Sequence, residues 1–141
     1  MQKDTEFIKD KKKDIVAIII YSDYQKEGLE FFTPGDFSQQ LGFISYKAGK
    51  TIEAHTHNIV KRDIHLTQET LFMKKGKLKV NFYDNDRNYF DSRILGAGDT
   101  ILLAGGGHGF DILEDIEMIE VKQGPYISDE DKSRFKGIEA N

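Results

Sequence analysis

Short apolar or alternating stretches follow one another along the chain, separated by turn residues at intervals of roughly ten positions. Residues 15–21 are dense in β-branched side chains and predict a buried strand. Further strands are predicted over residues 29–33, 39–47, 51–57, 69–75, 77–83, 89–95, 100–104, 108–113 and 117–122. Gly76 is predicted to turn the chain between the two arms of a hairpin, and Glu114-Asp115 to form a turn between the last two strands.

This pattern predicts an all-β barrel or sandwich, since about ten short strands occur without a convincing amphipathic helix. We expect one β-domain over residues 15–127. Residues 1–14 are polar and charged and predict a flexible lead-in. Residues 128–141 predict a polar tail, either frayed or forming a short helix.

Three of the four histidines lie in one stretch of the chain, in and after the predicted fourth strand. His55 and His57 are two positions apart, so on a strand both imidazoles leave the same face. Glu69 lies on the next predicted strand, and His108 follows three glycines far downstream. Two histidines from one strand, a carboxylate from the next and a histidine from a later one predict a mononuclear metal site.

The spacing of these residues resembles the first motif of the cupin superfamily, G-x5-H-x-H-x(3,4)-E-x6-G. The motif is matched by Gly49, His55, His57, Glu69 and Gly76, with the intervals on both flanks as the motif requires. Eleven residues separate His57 from Glu69, where the motif has three or four. We therefore expect an enlarged loop between the two strands.

The second cupin motif, G-x5-P-x-G-x2-H-x3-N, is matched in kind by Gly98, Gly106 and His108. The sequence departs from it at three points. Ala104 stands in place of the proline, Ile112 in place of the asparagine, and one residue is missing before the histidine. These departures bear on the geometry around His108.

The resemblance implies an all-β cupin fold, the double-stranded β-helix or jelly-roll barrel, over residues 15–127. It also implies that His55, His57, Glu69 and His108 bind one divalent metal ion. Three imidazoles and a carboxylate suit Zn2+, Fe2+, Mn2+, Ni2+ or Co2+, and ligand type alone does not choose among them.

Small single-domain cupins include sugar and nucleotide-sugar isomerases and epimerases, dioxygenases and lyases. By this resemblance we expect a metal-dependent enzyme acting on a small polar metabolite, of the isomerase or epimerase type, with the metal as Lewis acid. The alternatives are an Fe2+-dependent dioxygenase and a non-catalytic module that binds a metal or ligand. The family also favours a homodimer.

Further residues are candidates for the pocket and for acid–base chemistry. Glu120 and Lys122 share one face of the last predicted strand; facing inward they would act as catalytic groups, but we favour the outward orientation. His65 and Arg62 lie on the enlarged loop, where Arg62 would attract an anionic substrate group. The remaining candidates for pocket walls are Lys47, Met73, Phe82 and Phe110.

Composition limits the other classes of function. The 141 residues carry a net charge of −4, which gives no general attraction to nucleic acid. The chain has no cysteine, so thiolate and disulfide chemistry are excluded. Its first fourteen residues lack the apolar core of a signal peptide, and the apolar run 15–21 is too short to span a bilayer. We expect a cytoplasmic protein with neither a membrane nor a nucleic-acid partner.

Overall fold

The computed structural model describes residues 4–128 and 130–140, and in these residues it contains strands but no helix. The strands are β1 (Thr5–Lys9), β2 (Ile15–Ile20), β3 (Gly28–Phe31), β4 (Gly42–Ser45), β5 (Glu69–Tyr83), β6 (Tyr89–Gly96), β7 (Thr100–Leu103) and β8 (Gly107–Lys122). In the described part of the chain there is consequently no helix that could cross a membrane.

Six of these strands form one antiparallel sheet in which β5 is central. β1, β2 and β7 pair in that order, and β7 pairs with the first part of β5. β6 pairs with the remaining part of β5, and β8 pairs with β5 along its length. β3 and β4 form a separate two-stranded sheet. The large sheet curls strongly into a half-barrel, which confirms the predicted all-β class.

The hydrophobic core lies inside the curl of the sheet. Alternate residues of β5 point inward, so Leu71 and Met73 in its first part and Leu78, Val80 and Phe82 in its second part are all almost completely buried. The strands on either side contribute the rest of the same cluster, namely Ile8, Val16, Ala17, Ile19, Tyr21, Leu95, Ile101 and Leu103. The buried strand predicted from residues 15–21 is confirmed as β2.

β5 and β8 are each longer than predicted, because the chain bends where a turn was expected. Gly76 does not close a hairpin: it lies within β5, at a φ of 90°, where the register with β8 shifts. Glu114 and Asp115 likewise lie inside β8. The predicted hairpin and turn are therefore wrong. A bulge, which increases local twist and bends a strand, occupies this position instead.

The strand predicted over residues 51–57 is also wrong. Residues 46–67, which we call the arm, contain neither strand nor helix, and each is exposed to solvent. The alternation of residues 51–57 is that of a half-buried strand, but it finds no partner strand within the described chain. Local pattern favours an extended backbone here, whereas pairing depends on a partner that the pattern does not specify.

The two ends of the chain are more ordered than the sequence suggests. Residues 5–9, inside the expected lead-in, form β1 and pair with β2. Near the other end, Phe135 packs its ring edge-on against Tyr83, with centroids 5.0 Å apart. The Ile138 amide donates to the Tyr83 hydroxyl at 2.7 Å, and that hydroxyl donates to Glu139. The tail is thus docked on the outer face of β5.

We expect Tyr83→Phe to lower the free energy of unfolding by about 1–2 kcal/mol, because it removes two hydrogen bonds from a buried hydroxyl. Burial, together with the hydrogen bond to Glu139, raises the pKa of Tyr83 to about 12. An unfolded tyrosine titrates near 10, so this stabilisation is complete below about pH 10 and is lost as the pH rises through about 12. Denaturant titration at pH 8 and pH 11 measures both effects.

The matched control is Tyr89→Phe. The Tyr89 side chain is exposed, and in the described part of the chain its hydroxyl shares a hydrogen bond with the Ser92 hydroxyl. It should change stability by less than about 0.5 kcal/mol. The Ile138 amide should exchange faster with deuterium in the Tyr83 variant alone. Two results would show that the Tyr83 hydroxyl does not hold the tail. One is an equal loss of unfolding free energy in both variants, and the other is a loss in Tyr83→Phe that is as large at pH 11 as at pH 8.

Candidate metal centre

Glu69 and His108 come together because the β5–β8 pair curls. Within that pair His108 lies opposite Phe82, thirteen positions along β5 from Glu69. In a flat sheet thirteen residues would span roughly 40 Å. Here the His108 Nε2 and Glu69 Oε2 atoms are 3.5 Å apart. The bend at Gly76, and the short connection from β7 into β8, close this distance.

The Glu69 carboxylate is well shielded, with 15% of its side chain exposed, against 31% for His108. Its polar contact with the His108 imidazole lowers the pKa of Glu69, and the charges of Lys122 and Lys132 act in the same direction. Burial opposes this effect. Glu69 is therefore held as a carboxylate, the protonation state in which it binds a cation.

The separation of these two donor atoms suits a shared ion. Two bonds of about 2.1 Å at a tetrahedral angle place their donor atoms about 3.4 Å apart. Across the described residues, however, no three histidine, aspartate or glutamate side chains are gathered closely enough to hold a metal. One chain thus offers two of the four predicted ligands at one place.

The other two predicted ligands form a second pair in the arm. The rings of His55 and His57 lie edge-on, with centroids 5.2 Å apart, and both residues are exposed. The His55 Nδ1 atom is 2.9 Å from the Glu53 carbonyl, which can only accept a hydrogen bond. In the neutral ring this fixes the proton on Nδ1 and leaves Nε2 free to bind a metal.

A cleft of about 580 Å3 opens beside Glu69 and His108. Phe110, whose ring centroid is 5.4 Å from that of His108, forms part of its apolar wall. Three cationic side chains from a turn and from the tail also line it: Arg87, Lys132 and Arg134. Besides Glu69, three further carboxylates line it as well, namely Asp84, Asp131 and Glu139, so the cleft carries charge of both signs and does not by itself select an anionic group.

The remaining pocket candidates are distributed over three places. Met73 and Phe82 are completely buried members of the core, not walls of the cleft. Arg62 and His65 line a wider groove of about 1490 Å3, which adjoins the cleft and shares Thr67 and Asp131 with it, and there His65 is 3.2 Å from Asp63. Lys47 is exposed at the start of the arm.

Glu120 and Lys122 lie on the inward side of β8, contrary to the orientation we favoured. Lys122 pairs with Glu69, and Glu120 pairs with Leu71, a core residue. Residues directly opposite in an antiparallel pair share a face, so both side chains point to the concave side of the sheet. Both are nevertheless exposed, because the half-barrel is open there.

Sequence reasoning did not identify Arg87, Lys132 or Arg134 as residues of the cleft. They come from a turn and from a tail without periodicity, and only tertiary packing brings them there. The guanidinium carbon of Arg87 lies 5.3 Å from the centroid of the Phe135 ring. The positions of these two residues in the sequence do not predict this contact.

Comparisons with protein families, with curated proteins and with solved structures give no significant match for this chain. The likeness to cupins rests on the two sequence motifs, and the functional argument rests on the geometry of the site.

Proposed function

We propose that this protein binds one divalent metal ion through Glu69, His108, His55 and His57 and uses it to act on a small polar metabolite. The observation that carries the proposal is the shielded Glu69–His108 pair, with its 3.5 Å separation, at the edge of a cleft. A carboxylate and an imidazole are both common ligands of divalent transition metals. The ion would need the two arm histidines to complete its four protein ligands.

The substrate that we propose is a polar metabolite with a carbonyl group. When bound, the ion would polarise the carbonyl oxygen as a Lewis acid. Arg87, Lys132 and Arg134 would hold a phosphate or carboxylate group of the substrate. Lys122, directly opposite Glu69, and Glu120, two residues before it on the same face of β8, would move the proton. By the likeness to cupins we infer isomerase or epimerase chemistry on a carbohydrate derivative.

The experiment follows proton exchange at the carbon beside the substrate carbonyl. Metal-loaded protein is incubated in deuterated water with a panel of sugar phosphates and nucleotide sugars, and deuterium incorporation is read by proton NMR. We expect incorporation that stops when a chelator removes the metal. Lys122→Ala should slow it at least tenfold, because general acid–base groups contribute about 10²–10⁴-fold.

Two other results would replace this proposal. Oxygen consumption by the Fe2+-loaded protein, without deuterium incorporation, would indicate a dioxygenase. If neither reaction occurs, water-proton relaxation of the Mn2+-loaded protein tests for an exchangeable water on the ion. An ion without such a water, and without turnover, would indicate a non-catalytic binding module.

A further inference from the structure

Residues 131–140, which we call the strap, run from the rim of the cleft to the outer face of β5. Six of the residues that line the cleft belong to the strap: Asp131, Lys132, Ser133, Arg134, Phe135 and Glu139. Lys132 also acts on the site, because its charge, after the contact with His108 and the charge of Lys122, lowers the pKa of Glu69. One wall of the cleft is therefore a segment that the chain adds after its last strand.

The surface beneath the strap is bare backbone. Gly107 and Gly109 are two positions apart on β8, so they face the same side of that strand, and Gly107 pairs with Tyr83. A Cβ atom on Gly107 would lie 3.2 Å from the Phe135 ring, and one on Gly109 would overlap the Glu139 carboxyl group. The close approach of the strap to β8 therefore depends on two positions without a side chain.

A polar cluster, which we call the latch, fastens the far end of the strap. The Tyr83 hydroxyl donates to the Glu139 carboxylate, and the Asn81 side-chain amide donates to the same carboxylate at 3.0 Å. The Ala140 amide donates to Asp111 at 2.8 Å. Asn81 is completely buried, and a buried amide needs hydrogen-bond partners. The strap supplies one of these partners, so its docking site is matched to the strap in polar groups as well as in shape.

Little apolar surface holds the strap on the sheet. Phe135 is partly buried, whereas Ile138 is 51% exposed and residues 131–134 are all exposed. Among the described residues, no backbone–backbone hydrogen bond joins the strap to a strand, and the core cluster contains no residue of the strap. Segments with few buried apolar contacts open at a lower free energy than the core does. We therefore expect the strap to detach while the sheet stays folded.

We propose that the strap is a lid of the cleft, which detaches from the sheet as one unit and thereby opens the space beside Glu69 and His108. Contacts fasten the closed lid at both ends. The Thr67 hydroxyl donates to Asp131 at 3.1 Å beside the cleft, and the latch holds the other end. That the open lid admits a metal ion rests on the proposed function; the opening itself does not.

Hydrogen exchange in the metal-free full chain tests whether the strap opens separately from the sheet. The amides of Ile138 and Ala140 donate to Tyr83 and Asp111, so docking of the strap protects both. At low urea concentrations we expect both amides to open with one common equilibrium constant, at least about tenfold larger than that of the amides of β5 and nearly independent of urea. Exchange of the two amides through global unfolding alone would overturn the proposal.

Gly109→Ala releases the latch without changing any of its side chains. The new methyl group displaces the Glu139 carboxyl, which is the end of a flexible side chain, and the φ of Gly109 is not in the left-handed region. We expect the Ile138 amide to exchange at least about tenfold faster, as the loss of a hydrogen bond to a charged group implies. Gly105→Ala is the control, because its Cβ meets the Ile15 oxygen at an ordinary 3.9 Å. Equal exchange in the two variants would overturn the latch.

Labelling of His108 measures whether release of the strap opens the cleft. Diethyl pyrocarbonate acylates neutral imidazole, and mass spectrometry reads each histidine separately, so the exposed His57 is an internal reference. Glu139→Ala removes the latch from outside the core and should raise labelling of His108 relative to His57 at least about threefold, because the open state is more populated. Glu130→Ala removes the same charge from an exposed position and should leave the ratio unchanged. Faster amide exchange without faster labelling would show that the strap is not a lid.

The rate of Zn2+ uptake then tests the link to the proposed metal centre. The docked strap holds Lys132 close enough to act on Glu69, and its positive charge opposes an incoming cation. We expect Glu139→Ala to bind Zn2+ at least about threefold faster than the parent in stopped-flow measurements. If His108 labelling responds as expected but the parent binds no Zn2+, the proposed function fails and the lid stands. If both proteins bind Zn2+ at the same rate, control of metal entry by the lid is overturned.

Discussion

Gly76→Ala is expected to lower the free energy of unfolding by about 2–4 kcal/mol, because the new methyl group meets both backbone strain and a clash. Gly76 has a φ of 90°, which side-chain-bearing residues rarely adopt, at a cost of about 1–3 kcal/mol. An added Cβ would lie 2.1 Å from the backbone oxygen of Asp115. A backbone oxygen cannot move aside as a flexible side chain can, so the bend between β5 and β8 must open.

The control is Gly96→Ala, on β6. A Cβ at Gly96 meets the Gly76 oxygen at 3.9 Å, an ordinary contact, and its φ is not positive. Urea denaturation of the three proteins should separate the two variants by at least about 2 kcal/mol. The Gly76 variant should also bind metal more weakly, since the same bend brings Glu69 to His108. Equal stability of the two variants would show that the curl does not depend on this glycine.

Glu69→Gln is expected to weaken Zn2+ binding at least 100-fold, more than the 10–100-fold typical of changes around a ligand. Glutamine keeps the shape of the side chain but replaces the anionic oxygen by a neutral one. The fold should tolerate the change, because glutamine has nearly the same volume as glutamate and keeps a side-chain oxygen that can face the His108 imidazole. Competition with a chelating dye measures the affinity, and thermal unfolding of the metal-free proteins measures the stability.

Glu117→Gln removes the same charge from an exposed position of β8 and serves as the control. It should change the Zn2+ affinity less than tenfold, since only the long-range attraction of the carboxylate is lost. If both variants lose affinity equally, the ion is attracted by the acidic edge of β8 and not bound by Glu69.

The strands themselves could be predicted where the sequence pattern is local. β2 follows from its uniform β-branched composition, and the all-β class follows from many short apolar stretches. The Glu69–His108 pair could be selected as candidates from the motif spacing. Their contact could not be derived, because it depends on how far the sheet curls.

Three features depend on long-range packing and are not encoded in a local pattern. Glycine marks either a turn or a bulge, so Gly76 alone does not reveal that β5 continues through it. Residues 51–57 have the alternation of a strand, but pairing needs a partner. The tail is polar in sequence, yet Phe135 and Ile138 dock on Tyr83, and this brings Lys132 and Arg134 to the cleft.

The central claim is that the chain binds one divalent ion through the Glu69–His108 pair and the arm histidines. Its most direct test is elemental analysis of protein purified without oxygen, and again after reconstitution with Zn2+, Mn2+, Fe2+, Co2+ and Ni2+ at a pH where imidazole is neutral. We predict about one ion per chain in the parent and almost none in the His55→Ala/His57→Ala variant. A parent without bound metal after every reconstitution, or a double variant that retains it, would contradict the account.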